Sequence, residues 1–416
     1  MKQFTKRKLP ALVLAICLIL PNVTTAFAGA PQVQAPSLVS IDTEITATAE
    51  YLKTSAIIDA KSDFYNSSKL LILLLRSGIN CSTLVDSYLS QVSSAYISNG
   101  TLTLTDPLTD YAYLSIILAL SGKDATNFNG FNLIQKFETA ISTADQTTLN
   151  YINPYKLPHL YAAAYAYTKD LKDSATCLAK IKIAILSYEN ANGIDYWGNS
   201  SDNNGFVLSG LSILSVSDSN IKRLVDNALV FSQTLLQSDG TSNGDFQWSP
   251  FPNSNSTAAS LTLYSTYGMN DLAAKSYAGL LTYKTSSKPG AYSFTNAADA
   301  ESSYSTIDAF YGLVSYRAVL ANQSAPFNIA DKLASISITK PELETVGIIS
   351  TGLTIDDSAT INSSLTSDSG IDINPKSPST GDTNIMAIFF ILSFISVGGV
   401  FAITYLQVMQ VKRKDA

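Results

Sequence analysis

The sequence predicts an all-α chain: an α/α toroid of about six helical hairpins in an inner and an outer ring, then a flexible stalk and one transmembrane helix. Three observations carry this. Across residues 41–322, segments apolar on every side alternate with segments polar on one side. Their order recurs roughly every 44 to 53 residues. Near the C-terminus, residues 385–408 carry no charged side chain, and Lys412, Arg413 and Lys414 follow.

The N-terminus reads as a secretory signal peptide over residues 1–28. Lys2, Lys6, Arg7 and Lys8 form a positive start, and Leu9 to Leu20 is apolar except for Pro10. Ala26-Phe27-Ala28 supplies the small residues of a cleavage site, which falls after Ala28 or after Ala30. The apolar run is shorter than a bilayer span requires. Export agrees with the composition: a net charge of −6, few arginines, and no basic cluster away from the termini. Nucleic acid, which needs a basic face, is excluded as a partner. Cys17 falls in the signal, leaving Cys81 and Cys177, which read as two buried thiols. There is no CxxC and a single histidine, His159, so a His/Cys metal site is not expected, nor is a cofactor.

The body, residues 41–322, supplies the rings. Segments such as "SSKLLILLL" (67–75), "YKLPHLYAAAYAYTKD" (155–170) and "NSTAASLTLYSTYGMND" (255–271) are apolar all round and need neighbours on every side. Others are one-sided, as in Leu224, Ala228, Phe231 and Leu235. Six inner helices ringed by six outer ones satisfy both patterns. A closed ring also needs no polar capping repeats, which an open α-solenoid would want and this array lacks. Several of the all-round apolar segments open with Ser, Thr or Asn, good N-caps, and Ser256-Thr257 and Ser305-Thr306 occupy matching places 49 residues apart.

The segment 238–268 contains Gln237's successors Gly240, Gly244, Phe246, Trp248, Ser256 and Thr257. With Gln237 they resemble the repeat of the prenyltransferase and squalene-cyclase toroids. The resemblance implies fold more than activity. No Asp-x-Asp-Asp acid motif of a terpene cyclase occurs in a suitable context. The zinc site of a protein prenyltransferase cannot be assembled with His159 alone, which reads as a helix-start residue. No Gly-Cys-Gly-Glu thioester motif surrounds either cysteine.

The long loops 189–204, 238–256 and 286–304 all precede inner helices and should gather at one end of the barrel. They hold both tryptophans and many carboxylates. Tyr196, Trp197, Asp202, Asp245, Phe246, Trp248, Tyr292 and Tyr304 are the candidate ligand-binding residues, since aromatic faces beside carboxylates suit sugars or flat ligands. Asp308 and Phe246 also fit simpler roles, a helix cap and a plug. No residue is assigned a catalytic role. The favoured expectation is non-catalytic capture of a glycan, a host component or a small nutrient. The alternative is a glycan-cleaving enzyme, with Asp195 or Asp202 set against Asp245 or Asp299.

Residues 323–376 read as a Ser-, Thr- and Asp-rich spacer. Ser377-Pro378-Ser379-Thr380-Gly381, the span 385–408 and the basic tail 409–416 follow. In that order they resemble the cell-wall sorting signal of Gram-positive surface proteins, in a clostridial variant of LPxTG. The resemblance implies that sortase cuts between Thr380 and Gly381 and joins the chain to peptidoglycan. The expected location is the cell surface, anchored to the wall, with the tail in the cytoplasm before processing.

Overall fold

A computed structural model describes residues 35–215, 217–244, 250–295 and 300–330. The expected signal peptide, the sorting motif with Ser377, Pro378, Thr380 and Gly381, and the apolar stretch 385–408 lie outside the described residues. So do Asp245, Phe246, Trp248 and Asp299. Among the described residues no helix is long and apolar enough to cross a membrane.

The first hairpin pairs α1 (Leu38–Ser55) with α2 (Phe64–Ser77), and the second pairs α3 (Ser82–Tyr96) with α4 (Asp110–Leu120). The third comprises α5 (Leu133–Thr143), the short α6 (Gln146–Asn150) and α7 (Leu157–Ala166). The fourth is α8 (Ser174–Leu186) and α9 (Ser201–Leu208), the latter continued by a 3-10 turn, Ser209–Leu211, and the short α10 (Ser212–Ser215). The fifth pairs α11 (Ser219–Leu235) with α12 (Ser254–Thr266), and the sixth pairs α13 (Asn270–Leu281) with α14 (Ser303–Leu320).

The second long helix of each hairpin faces the axis. α2, α4, α7, α9, α12 and α14 touch in that order, and α14 returns to α2 and α1. The ring is therefore closed, as the alternating pattern predicts. The two kinds of helix bury themselves differently. On inner α4 every residue from Asp110 to Ala119 is buried. On outer α11 only one stripe is: Ile221, Leu224, Val225, Ala228, Ser232 and Leu235. Small residues let the inner helices approach closely. A Cβ on Gly205 of α9 would collide with the Ala259 carbonyl of α12. Cys81 and Cys177 are both buried and unpaired with each other, two thiols as expected.

Three two-stranded ribbons lie in the loops that enter inner helices: β1 (Ile97–Ser98) with β2 (Thr101–Leu102), β3 (Glu189–Asn190) with β4 (Gly193–Ile194), and β5 (Ser242–Asn243) with β6 (Pro252–Asn253). Each late repeat ties its loop to its helix by one device. Ser200, Asn253 and Ser302 cap α9, α12 and α14 through their side chains. Four residues on, Asn204, Thr257 and Thr306 each accept a hydrogen bond from a backbone N–H of the preceding loop, at Ile194, Ser242 and Tyr292 (2.9, 2.9 and 3.0 Å). A buried N–H is thus satisfied in each repeat, and the loop is fixed over the barrel end. This is the physical content of the Ser256-Thr257 and Ser305-Thr306 match.

The packed body continues past residue 322, where the spacer was expected to begin. Phe327 and Ile329 are buried. The Arg76 guanidinium, at the C-terminal end of α2, donates to the Ser324 carbonyl at 2.7 Å and to its hydroxyl at 2.8 Å. Phe327 enters the axis and stacks on His159 with ring centres 3.7 Å apart, and it meets the Tyr311 ring edge-on at 5.4 Å. The C-terminal ends of the inner helices are sealed this way.

Candidate functional site at the barrel mouth

The opposite end, where the N-termini of the inner helices converge, is built around Lys69 on α2. It stands near the start of a helix whose other charge, Arg76, lies at the far end, and it finds a partner across the mouth. Lys69 Nζ lies 2.9 Å from Asp308 Oδ1 on α14. The other oxygen of Asp308 accepts from Asn255 Nδ2 of α12 at 2.9 Å. Asn255 is held in turn by the Ser305 hydroxyl at 2.8 Å. Asp308 is therefore not a helix cap, since Ser302 caps α14. It is an oriented carboxylate with a cation on one side and an amide on the other. The side chains of Lys69 and Asp308 keep 12% and 18% of their surface open to solvent, enough for contact with a ligand.

Aromatic rings wall this pair. Lys69 Nζ lies over the rings of Phe206 and Tyr311, 5.2 and 5.5 Å from their centres. Burial, the largest single influence, lowers the Lys69 pKa, but the attraction of Asp308, Tyr65 and Asp202 together with the Asp308 hydrogen bond outweighs it, and the amine sits above its ordinary value. Asp202, in the first turn of α9, also acts on this lysine. Tyr155, pushed well above the usual phenol range by burial, feels both Asp202 and Asp308. The two carboxylates thus share the same lysine and the same tyrosine. Tyr155 donates to Asn203 Oδ1 at 2.7 Å.

Below this layer lies the floor. The Tyr113 hydroxyl bonds His159 Nδ1. His159 is buried at the start of α7, as expected, and burial holds its pKa well below the imidazole value. It is neutral at pH 7, wedged between Tyr113 and Phe327. Asp110 stands to one side. Burial raises it to about 6, while its oxygens accept from the Asp106 backbone N–H and the Thr109 hydroxyl. Those bonds fasten the start of α4.

The structure sorts the sequence candidates. Tyr196 is half-buried and packs against Tyr155 and Tyr188. Trp197 stands outward, 60% exposed, and does not fill the mouth. Asp202, in the first turn of α9, acts electrostatically on Lys69. Tyr304 is 70% exposed on the first turn of α14. Asp202, Asn255 and Tyr304 hold the same place in three successive inner helices, two residues after the cap. Tyr292 is a correction: it is 0% exposed, with its backbone N–H tied to Thr306. Its ring belongs to the core, where burial raises the hydroxyl beyond the ordinary phenol range. Sequence reasoning missed Lys69 and Asn255. The signal available for Lys69 was a charge set directly ahead of the apolar run from Leu70 to Leu75.

Two adjoining clefts of about 350 and 320 Å³ lie away from the mouth, between α3 and the loop after α4. They share Asp86 and Lys123, which pair with each other at 3.2 Å on the surface. Neither cleft is lined by Lys69, Asp202 or Asp308. Among the described residues no three His, Cys, Asp or Glu side chains gather to hold a metal.

No protein-family model and no curated protein matches the sequence. Among solved structures, the chain is similar to a polysaccharide lyase, with a TM-score of 0.47 and 12% identity, over 73% of this chain and 100% of that one. It is also similar to a family 88 glycosyl hydrolase from Bacteroides vulgatus, with a TM-score of 0.47 and 11% identity, over 68% of this chain and 98% of that one. Both neighbours are glycan-processing enzymes. That finding runs against the expectation of a non-catalytic capture module, which is withdrawn.

Proposed function

We propose that the toroid is a glycan-cleaving enzyme whose reaction centre is the barrel mouth. The observation that carries this reading is the Lys69–Asp308 ion pair among aromatic rings at the barrel end, with Asp202 near enough to act electrostatically on the same lysine. Cleavage of a glycosidic bond by a carboxylate pair needs one to donate a proton and one to be ionised. Asp308, between Lys69 and Asn255, is the ionised member. It serves the anomeric carbon, directly or through a water. Asp202 gives its proton to the glycosidic oxygen as the C–O bond breaks. Phe206 and Tyr311, buried and stacked on one another, back the lysine, and Asn203, whose amide is spent on the loop, holds the Tyr155 hydroxyl.

The test is a screen of the purified chain against soluble glycans, read as new reducing ends. The wild-type chain should cleave at least one. Asp308→Asn and Asp202→Asn should each lower turnover by about 10²–10⁴-fold without unfolding the protein. Cleavage that survives both substitutions would remove the mouth from the mechanism.

The expected location enters here as a second proposal. The chain is exported and held at the cell surface, with sortase cutting between Thr380 and Gly381 and peptidoglycan as the acceptor. The order of Ser377, Pro378, Thr380 and Gly381, the apolar stretch and the basic tail supports it. Thr380→Ala should release the chain from the wall fraction. Unchanged release on that substitution would count against sortase.

A further inference from the structure

Trp197 has a backbone that its side chain does not suit. Among the described residues, four non-glycine positions have positive φ: Asn99, Asn129, Asn322 and Trp197. Asparagine enters the left-handed region readily, because its short side chain bonds locally. Tryptophan does not. At φ 63° its Cβ crowds the following peptide, and no hydrogen bond from its own side chain compensates. Glycine would adopt the same geometry without strain, as Gly198, at φ 113°, does next door.

The turn around it is overdetermined. Asp195 and Asn199 pair across it, and Asp195 Oδ1 accepts from the Gly198 N–H at 3.1 Å. Asn203 Nδ2 donates to both the Tyr196 and Gly198 carbonyls, at 3.0 and 2.7 Å. Asn199 Nδ2 donates to the Ile194 carbonyl at 2.9 Å. These bonds hold the tip rigid whatever residue occupies position 197. The strain therefore serves the indole and not the turn. The indole itself is 60% exposed, with its inner edge on Tyr196 at 5.8 Å. From Trp197 a line of rings runs inward: Tyr196, then Tyr155 at 6.2 Å, whose hydroxyl reaches Asn203 beside Asp202.

We propose that Trp197 is a stacking platform at the rim, an outer subsite that receives the C–H face of a sugar in a chain leading to the mouth. This rests on the glycan reading above. A flat, rigid, exposed ring removes the apolar face of a pyranose from water at little entropic cost, because the turn has already fixed it. The charge nearby selects the class of chain. Segment 187–204 carries Asp195 and Asp202 and no basic residue, while its Glu189 is paired with Arg223. A polyanionic glycan would be repelled here, and a neutral or amino-bearing glycan accepted.

The full chain, run through native gels containing xylan, β-glucan, glycol chitosan or polygalacturonate, tests this directly. The wild-type chain should be retarded by at least one neutral or amino-bearing polymer and not by polygalacturonate. Trp197→Gly should weaken that retardation by roughly tenfold, and Trp197→Tyr should keep most of it. The unfolding midpoint of Trp197→Gly should hold or rise, because the strain is gone. Unchanged retardation, a lowered midpoint, retention by polygalacturonate alone, or no retention of the wild-type chain would each overturn the platform. Asp308→Asn separates the two claims. If that variant still cleaves while Trp197→Gly no longer binds, the reaction centre is misplaced and the platform stands.

Discussion

The two ends of the barrel are made from the same six inner helices and have opposite characters. At the mouth, Lys69, Asp308, Asn255 and Asp202 meet under a rim that bears Trp197 and Tyr304. At the far end, Arg76 clasps the chain after α14, and Phe327, only 1% exposed, fills the axis up to His159. The difference comes from direction. Helix N-termini converge at the mouth, and the dipoles of α4 and α9 favour Asp110 and Asp202 in their first turns. The long, ribbon-bearing loops also enter there and bring side chains the repeat itself does not need. The other end receives one piece of chain outside the repeat, and it serves as a stopper. One end thus presents charged and aromatic side chains and the other is sealed, with Phe327 as both the stopper and the floor beneath the mouth.

That contrast can be broken in order of expected effect. Phe327→Ala should cost about 3–5 kcal/mol in denaturant unfolding, because it empties the axis beneath His159 and Tyr311. A loss under about 1 kcal/mol would mean the stopper is not part of the core. Arg76→Leu should cost about 1–3 kcal/mol, since the Ser324 carbonyl and hydroxyl lose a charged donor. It should leave glycan cleavage in place, and a loss of turnover without a loss of stability would blur the division between the ends.

The pH dependence sharpens it further. His159 has a pKa depressed in the fold, so its contribution is present above the unfolded value of 6.5 and is lost as pH falls below it. The slope is at most about 1.4 kcal/mol per pH unit. Asp110, raised to about 6 from 3.8, acts in the opposite sense across that window: the folded state holds its proton, so stability falls as pH rises through it. His159→Gln, which can still accept from Tyr113, should flatten the acid loss between roughly pH 6.5 and 5, and Asp110→Asn should steepen it below about 6. Parallel stability curves for wild type and His159→Gln would show that His159 is not neutral in the fold. Thr306→Val, at the mouth, should have the smallest effect, about 1 kcal/mol, from the unpartnered Tyr292 N–H.

Much of the architecture was legible from the alternation of burial patterns, because a helix apolar all round has few places to go. The Ser-Thr match even located the stitch that fixes each loop. Side chains were legible where they sit in loops, as with Tyr196, Trp197 and Asp202. Tyr292 was misread because a loop aromatic can turn inward, and its backbone bond to Thr306 decides that it does. Lys69 and Asp308 lie 239 residues apart, and only ring closure brings them together. Asp308 therefore looked like a capping residue. Phe327 fell past the point where aromatics thin out, in a segment whose composition reads as spacer. The non-catalytic expectation had the same root. The carboxylate pairs weighed against it, Asp195 or Asp202 with Asp245 or Asp299, left out Asp308, which only ring closure brings to Lys69.

The most direct measurement is the structure of the Asp308→Asn chain with an uncleaved oligosaccharide taken from whichever glycan the wild-type chain cuts. The sugar chain should run from the Trp197 ring inward, with the bond to be broken between position 308 and Asp202. An oligosaccharide seated in the cleft at Asp86 and Lys123, or anywhere that leaves Lys69 untouched, would contradict the assignment of the chemistry to the mouth.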